Sequence, residues 1–199
     1  FKKINVMEIK VRQLEIIEAA GEILTESGLA GLTTKNLAAK MGFAESALYR
    51  HFKGKEEIIV TMLQYLAADM DKRLTACVEK LDDPVEKLKA VFNNQFAYFE
   101  KHPHFLVAVF SEGLLEESKK INAAIMQIMA TKRKHLLPVI KQGQLEGVFE
   151  TSAPAEDLLH IIMGSFRLHM LQWRMTDFSF DVKKKGNRLM DSILTLIKI

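Results

Sequence analysis

Cysteine is nearly absent from this chain of 199 residues, since Cys77 stands alone and an intramolecular disulfide is therefore excluded. Apolar runs long enough to cross a bilayer, about 18 to 20 residues, are also missing. The first ten residues lack the apolar stretch and the cleavage site of a signal peptide. We therefore expect a cytoplasmic protein with no membrane partner.

Motifs that mark common enzyme classes are missing as well. The chain has no Gly-rich phosphate loop, no G-x-S-x-G turn, no H-E-x-x-H pair and no paired cysteines. His102 and His104 flank Pro103, but no recognised metal-ligand spacing results. We therefore predict neither an enzyme nor a protein with a metal or cofactor.

Apolar residues recur at helical spacing almost throughout the chain, and only four prolines interrupt it. Gly28 and Gly42 are expected to end the first two helices, and Thr33 to cap the second. Pro138 is expected to bend its helix or to end its regular part. The spacing predicts an all-α fold with about nine helices, at 9–27, 34–41, 44–52, 55–81, 84–101, 103–111, 116–142, 155–175 and 180–198.

Positive charge is concentrated near the amino end of the chain. Residues 1–55 hold nine Lys and Arg against six Glu, whereas residues 56–199 hold 19 basic and 19 acidic residues. The whole net charge of +3 thus lies in the first quarter. A basic module on a neutral body is expected of a protein that contacts the phosphate backbone, although a solvated charged face is the alternative. We predict a DNA-binding domain at 1–55 and a larger helical body at 56–199.

The second and third helices are separated by only Gly42 and Phe43, which is the spacing of a helix-turn-helix unit. On a helical wheel the third helix buries one side and leaves a polar side free. Its buried side is predicted to consist of Ala44, Ala47, Leu48 and Phe52, and its free side of Glu45, Ser46, Tyr49, Arg50 and Lys53.

The free side chains suit contact with duplex DNA. Tyr49 can donate to a phosphate, and Arg50 can bind a phosphate or a guanine edge. Lys53 and Lys55 lie at the amino end of the next helix, where the helix dipole also favours an anion. Glu45 does not suit an electropositive surface, and we expect it to accept from a cytosine amine. His51 lies nearer the buried side and would reach DNA only because its helix ends there.

The segment GLAGLTTKNLAAKMGFAESALYRHFKGKEEII, residues 28–59, resembles the TetR family of transcriptional regulators. The resemblance implies that Thr34 and Lys35 touch the operator and that Glu45, Ser46 and Ala47 face bases. It also implies that Tyr49, His51 and Lys55 hold phosphates. Ala47 stands where family members have a polar residue, so its contact is expected to be van der Waals only. No motif matches in residues 60–199.

The resemblance implies that the body pairs two subunits and binds a small effector. The predicted helix 155–175 is apolar nearly all round, which favours one buried side toward the body and one toward a partner, although two internal sides are the alternative. We predict a homodimer through residues 155–198.

Aromatic residues and methionines of the body are candidates for an apolar effector cavity, although for any one of them an ordinary core position is the more common reading. Gln95, Arg167 and His169 are among its possible polar contacts. The candidate effector-binding residues are Phe96, Phe99, Phe105, Phe110, Met126, Met129, Met163, Phe166, His169 and Met170.

These observations predict a TetR-like regulator, a repressor by the family's commoner habit, that binds a palindromic operator as a homodimer. An apolar or amphipathic small molecule is expected to release it. The alternative is a DNA-bound structural or architectural factor without an effector, which would share the same amino-terminal domain.

Overall fold

The computed structural model describes residues 9–110 and 118–199. Nine α-helices make up most of this described part, together with one isolated antiparallel bridge between Phe149 and Lys198. The all-α fold is therefore confirmed. No helix in these two ranges is long and apolar enough to cross a membrane. The helices are α1 Val11–Gly31, α2 Thr34–Lys40, α3 Glu45–Leu48, α4 Lys55–Val78, α5 Pro84–Lys101, α6 Pro103–Val109, α7 Lys119–Leu145, α8 Ala155–Met175 and α9 Val182–Ile197.

Several helix ends follow from local chemistry. The side chain of Thr33 caps α2 by accepting from the Asn36 amide, and Asp83 caps α5 ahead of Pro84. The prediction that Gly28 ends α1 is wrong. Gly28 kinks the helix with φ +64°, and helical geometry resumes as far as Gly31. Pro138 lies inside α7, which continues to Leu145.

The third helix is shorter than predicted. Regular α geometry covers only Glu45–Leu48, and the backbone then tightens, because the amides of Arg50 and His51 donate to carbonyls three residues back. The predicted end of α6 at 111 and start of α7 at 116 lie outside the described residues.

The chain forms two compact units. The first comprises the described parts of Phe1–Asp69 and Pro103–Met129, and the second comprises Met70–His102 and Ala130–Ile199. This grouping by compactness differs from the functional division predicted at residue 55, which stays a prediction. α4 and α7 each contribute residues to both units.

Each unit has its own apolar core. In the first, Ile17 and Leu24 of α1 are buried with Leu37 of α2 and Leu48 of α3. α1 also packs on α6, where Gly21 lets the imidazole of His104 approach so closely that an added Cβ would lie 2.5 Å from its ring. The core of the second unit centres on buried aromatic residues of α5 and α8, namely Phe92, Phe96, Phe99, Phe166 and Trp173.

Candidate DNA-binding surface

α2 and α3 are held together by the turn between them. The Gly42 amide donates to Ala39 and the Phe43 amide donates to Ala38, both at 3.1 Å, which is the hydrogen-bond pattern of a Schellman motif. Gly42 has φ +70°, a conformation that an L side chain rarely adopts. The helix-turn-helix geometry predicted from Gly42 and Phe43 therefore rests on a specific backbone requirement.

Buried residues anchor the unit from within. Leu48 and Phe52 are buried with Leu37 and Ala38 of α2, in agreement with the predicted apolar side of the third segment. Ala44 is exposed instead, because it precedes α3 with extended backbone as its N-cap residue.

Four polar residues of the predicted site project from this unit. Ser46, Tyr49, Arg50 and Lys53 are all exposed, and the side chain of Tyr49 is 52% exposed although it is a large aromatic residue. Lys35 is exposed near the start of α2. Within the described ranges, the side chains of Lys35, Arg50 and Lys53 form no ion pair. These three cations are therefore available to an external anion.

The other basic residues of this region have intramolecular partners. Lys40 pairs with Glu22 at 3.1 Å and Glu26 at 2.9 Å, and the hydrogen bonds that its ammonium donates to Glu26 and Glu22 raise its pKa. The Lys55 ammonium donates to the carbonyl of Leu29 at 3.2 Å, in the last turns of α1. Basic residues that are equivalent in a charge count thus differ in their surroundings.

The remaining predicted residues are half-buried. Thr34 donates its hydroxyl hydrogen to the carboxylate of Glu45, which links the first residues of α2 and α3. Ala47 is half-buried, and His51 offers its carbonyl to the Gln13 side chain of α1 at 3.4 Å. Arg12 of α1 lies over the ring of Phe43, 5.1 Å from its centroid. The contacts of Gln13 with His51 and of Arg12 with Phe43 were not predicted, because a local sequence pattern does not indicate contacts between residues far apart in the chain.

The residues predicted to bind an effector fall in both units. In the second unit, Phe96, Phe166 and His169 pack together, with ring centroids 5.5 Å apart in each pair that involves Phe96. Phe99 and Met170 are buried there, and Met163 is half-buried. The Nε2–H of His169 donates to the carbonyl of Val182 at 3.2 Å, so this side chain has a structural partner within the unit.

In the first unit, Phe105 and Phe110 are buried, and Phe105 packs 6.2 Å from the ring of Tyr65. Met126 and Met129 of α7 are instead 61% and 45% exposed. Their exposure counts against the predicted place of these two methionines in an enclosed cavity.

Comparisons with known proteins cover both parts of the chain. The family described as "Bacterial regulatory proteins, tetR family" matches residues 16–62, and "Tetracyclin repressor-like, C-terminal domain" matches residues 84–195. A nucleoid occlusion factor SlmA of Aliivibrio fischeri (strain MJ11) is 26% identical over 160 residues, which cover 78% of this chain and 82% of that protein.

Solved structures share the fold. The fatty acid degradation regulator FadR of Bacillus halodurans has a TM-score of 0.86 at 19% identity, over 94% of this chain and 96% of that one. The ketosteroid transcriptional regulator KstR2 of Mycobacterium tuberculosis has a TM-score of 0.80 at 23% identity, over 96% and 97%. FadR of Bacillus subtilis, solved in complex with stearoyl-CoA, has a TM-score of 0.82 at 20% identity, over 93% and 98%. At these identities the likeness shows the fold alone.

Proposed function

This chain belongs to the TetR family of bacterial regulatory proteins, and from that premise we propose that it is a homodimeric repressor released from a palindromic operator by a small amphipathic molecule. Regulation of transcription through DNA binding is the family's activity, and these regulators are not enzymes. Repression, the dimer and the effector are the parts that we propose here.

The observation that carries the proposal is the group of unpaired polar side chains on the α2–α3 unit. Lys35, Arg50 and Lys53 are exposed cations without an intramolecular ion pair in the described ranges, and Tyr49, next to Arg50 in the chain, is 52% exposed. Phosphate oxygens are the expected partners of such a group. Ser46 is exposed as well, and we expect it to face base edges. Thr34 and Glu45 hold the two helices in register, and Ala47, His51 and Lys55 complete the proposed interface.

The proposed dimer rests on a heptad pattern in α8. Ile161, Leu168 and Met175 lie seven residues apart and are each more than half exposed, and Gly164 and half-buried Leu171 fall between them. This spacing of three and four residues is that of a helix packed against a partner helix. An added Cβ at Gly164 would meet nothing within 4 Å of this chain, so the position leaves room for a second copy.

The end of the chain carries further exposed apolar residues, which we assign to the same interface. Leu196 and Ile199, at and beyond the end of α9, are 80% and 74% exposed. We call Ile161, Gly164, Leu168, Leu171, Met175, Leu196 and Ile199 the dimer face. Two copies that join through α8 and α9 would form a four-helix interface and carry two DNA-binding domains to one duplex.

The proposed effector acts by binding one conformation of the dimer more tightly than another, since a ligand with equal affinity for both shifts nothing. α4 begins at Lys55, close in sequence to the DNA-binding residues, and continues into the second unit. We therefore expect effector binding to act through α4 and to change the distance between the α3 segments of the two subunits. The FadR protein of Bacillus subtilis, which shares the fold, was solved with stearoyl-CoA, and this supports an amphipathic effector.

The SlmA relatives favour a second candidate, a DNA-bound factor that needs no small molecule. Both candidates require the same DNA-binding surface and dimer. They differ in whether a small molecule changes the affinity for DNA.

Selection of binding sites from a random duplex library tests the proposal. We expect enrichment of a palindrome bound by two chains, and expression from a reporter carrying that site should fall when the protein is present. The absence of an enriched palindrome, or one chain per site, would contradict the dimeric regulator. Strong binding that no extract of small metabolites weakens would favour the factor without an effector.

A further inference from the structure

We propose that Lys132 of α7 and Gln95 of α5 form the polar end of the effector site, and that the effector is an amphipath with an anionic head. This inference rests on the proposed function, because it names the chemical class of the molecule that releases the regulator. Two independent observations in the second unit carry it, one on each residue.

The first observation is a lysine whose charge has no counter-ion. The Lys132 ammonium lies over the ring of Phe166, 4.0 Å from its centroid. In the described ranges no carboxylate pairs with it, and the nearest charge that influences it is the guanidinium of Arg167 on α8, which is also positive. Burial, and to a smaller extent Arg167, lower the pKa of Lys132 to about 7. An ammonium on an apolar ring with no carboxylate beside it makes a site that an anion would stabilise.

The second observation is a buried amide without hydrogen bonds. Gln95 is 1% exposed, and neither its Nε2 nor its Oε1 has a hydrogen-bond partner. Leaving both groups unsatisfied is unfavourable, because each has lost its hydrogen bonds to water without a replacement. Buried polar groups are nearly always paired, so an unpaired amide in a native protein indicates a missing partner. The amide can donate to one oxygen of a ligand and accept from another group.

A cluster of aromatic rings connects the two residues. Gln95 lies on the buried side of α5 between Phe92 and Phe96. The ring of Phe166, on which the Lys132 ammonium rests, lies 5.6 Å from that of Phe92 and 5.5 Å from that of Phe96. The polar groups therefore stand on one apolar cluster, which is the combination that a molecule with an anionic head and an apolar chain requires.

A carboxylate from the partner subunit would be another way to neutralise Lys132, but the geometry favours a small molecule. Lys132 is half-buried, and its ammonium rests on the ring of Phe166, which is 2% exposed, so the ammonium faces the apolar core of the unit. Leu168, which belongs to the dimer face, is 57% exposed in the helix of Phe166. The anion must therefore approach a half-buried ammonium against that ring, which a narrow ligand head can do more readily than a folded partner.

Calorimetric titration of the full chain with matched amphipaths tests the proposal. The probes are straight-chain alkyl carboxylates, alkyl phosphates and alcohols of equal chain length, each below its micelle concentration. Wild-type protein should bind one or both anions at least about tenfold more tightly than the alcohol. The carboxylate and phosphate series distinguish the two sources of an anionic head.

Substitutions assign the preference to its residues. Lys132→Met should abolish the preference and leave alcohol binding unchanged, whereas Lys141→Met, at an exposed position of the same helix, should retain it. Gln95→Leu should weaken the binding of carboxylates and of alcohols alike, by about tenfold. It should not lower the free energy of unfolding, because it removes an unpaired buried amide.

Proton uptake gives a separate signal. At about pH 8 the wild-type protein should take up most of one proton when the anion binds, because pairing charges a lysine that is largely neutral, and Lys132→Met should not. Equal affinity of wild type for anions and alcohols, or an unchanged preference in Lys132→Met, would overturn the inference. A dimer that dissociates in Lys132→Met would overturn it too, in favour of a partner carboxylate.

Failure of this inference can be told from failure of the proposed function. Duplex binding is measured on the same preparations. Loss of the anion preference with duplex binding intact refutes only the anionic effector, whereas an anion preference in a protein that binds no duplex refutes the regulator.

Discussion

The hydroxyl of Thr34, the first residue of α2, donates a hydrogen bond to the carboxylate of Glu45, the first residue of α3. This contact explains how an acidic residue comes to lie among the cations of the proposed interface. One carboxylate oxygen is occupied by an intramolecular donor, so Glu45 serves to hold the two helices in register whether or not it also reaches a cytosine.

Glu45→Gln separates these two roles. The amide oxygen can still accept from Thr34, but the negative charge near the phosphates is gone, so affinity for duplex of random sequence should rise by about threefold to tenfold. Fluorescence anisotropy with a labelled duplex measures it. Glu79→Gln, the same charge change at an exposed position of the body, should leave the affinity within about twofold. A lower affinity of Glu45→Gln for every duplex would contradict this assignment.

Tyr49→Ala should weaken binding of the selected duplex by at least about tenfold, because it removes both a phosphate donor and the ring that packs on the backbone. The free energy of unfolding should change by no more than about 0.5 kcal/mol, since the side chain is 52% exposed. Tyr49→Phe, which keeps the ring, should lose less affinity. Unchanged binding by Tyr49→Ala would remove this residue from the interface.

Leu168→Lys should convert the dimer to a monomer, because it places a charge at the centre of the dimer face. The residue is already 57% exposed in the single chain, so the fold of the protomer should be retained. Sedimentation equilibrium measures the association, and Leu145→Lys, at an 88% exposed position outside the dimer face, is the matched control. A wild-type chain that is strictly monomeric at micromolar concentration would contradict the proposed homodimer.

Sequence patterns predicted most helices because their causes are local. Pro84 and Asp83 mark the start of α5, and the bounds of α8 are those expected from its apolar run. The start of α9 was predicted two residues early, although Asp181, whose side chain accepts from the Lys184 amide, is a recognisable cap. The length of α3 could not be predicted, because a change from α to tighter hydrogen bonding after Leu48 leaves no trace in apolar spacing.

The candidate site was predictable only as a set of residue types. Exposure of Tyr49 and Arg50 follows from the helical wheel, but the partners of Lys40 and Lys55 depend on α1. Gln95 and Arg167 were recognised as possible polar contacts of an effector. Lys132 was not recognised, because the sequence of a basic helical stretch indicates a solvated lysine. Only the tertiary structure shows that its ammonium lies over the ring of Phe166.

Stability should depend on pH through Lys132. Its pKa in the folded chain is about 7, below the ordinary value of 10.5, so between these values the unfolded chain binds more protons than the folded one. The free energy of unfolding of the wild type should therefore rise with pH through this window, relative to that of Lys132→Met. Urea unfolding at several pH values measures the difference, with Lys141→Met as the control. A difference that does not vary with pH would show that Lys132 keeps its ordinary pKa.

The salt dependence of duplex binding tests the central claim most directly. Dissociation constants of the wild-type protein for its selected duplex are measured between about 50 mM and about 200 mM salt. Two domains that each place Lys35, Arg50 and Lys53 near phosphates should give a slope of log affinity against log salt of about −4 or steeper, since each neutralised phosphate contributes about −0.9. A slope near zero would contradict the proposed contact between these cations and the phosphates of the duplex.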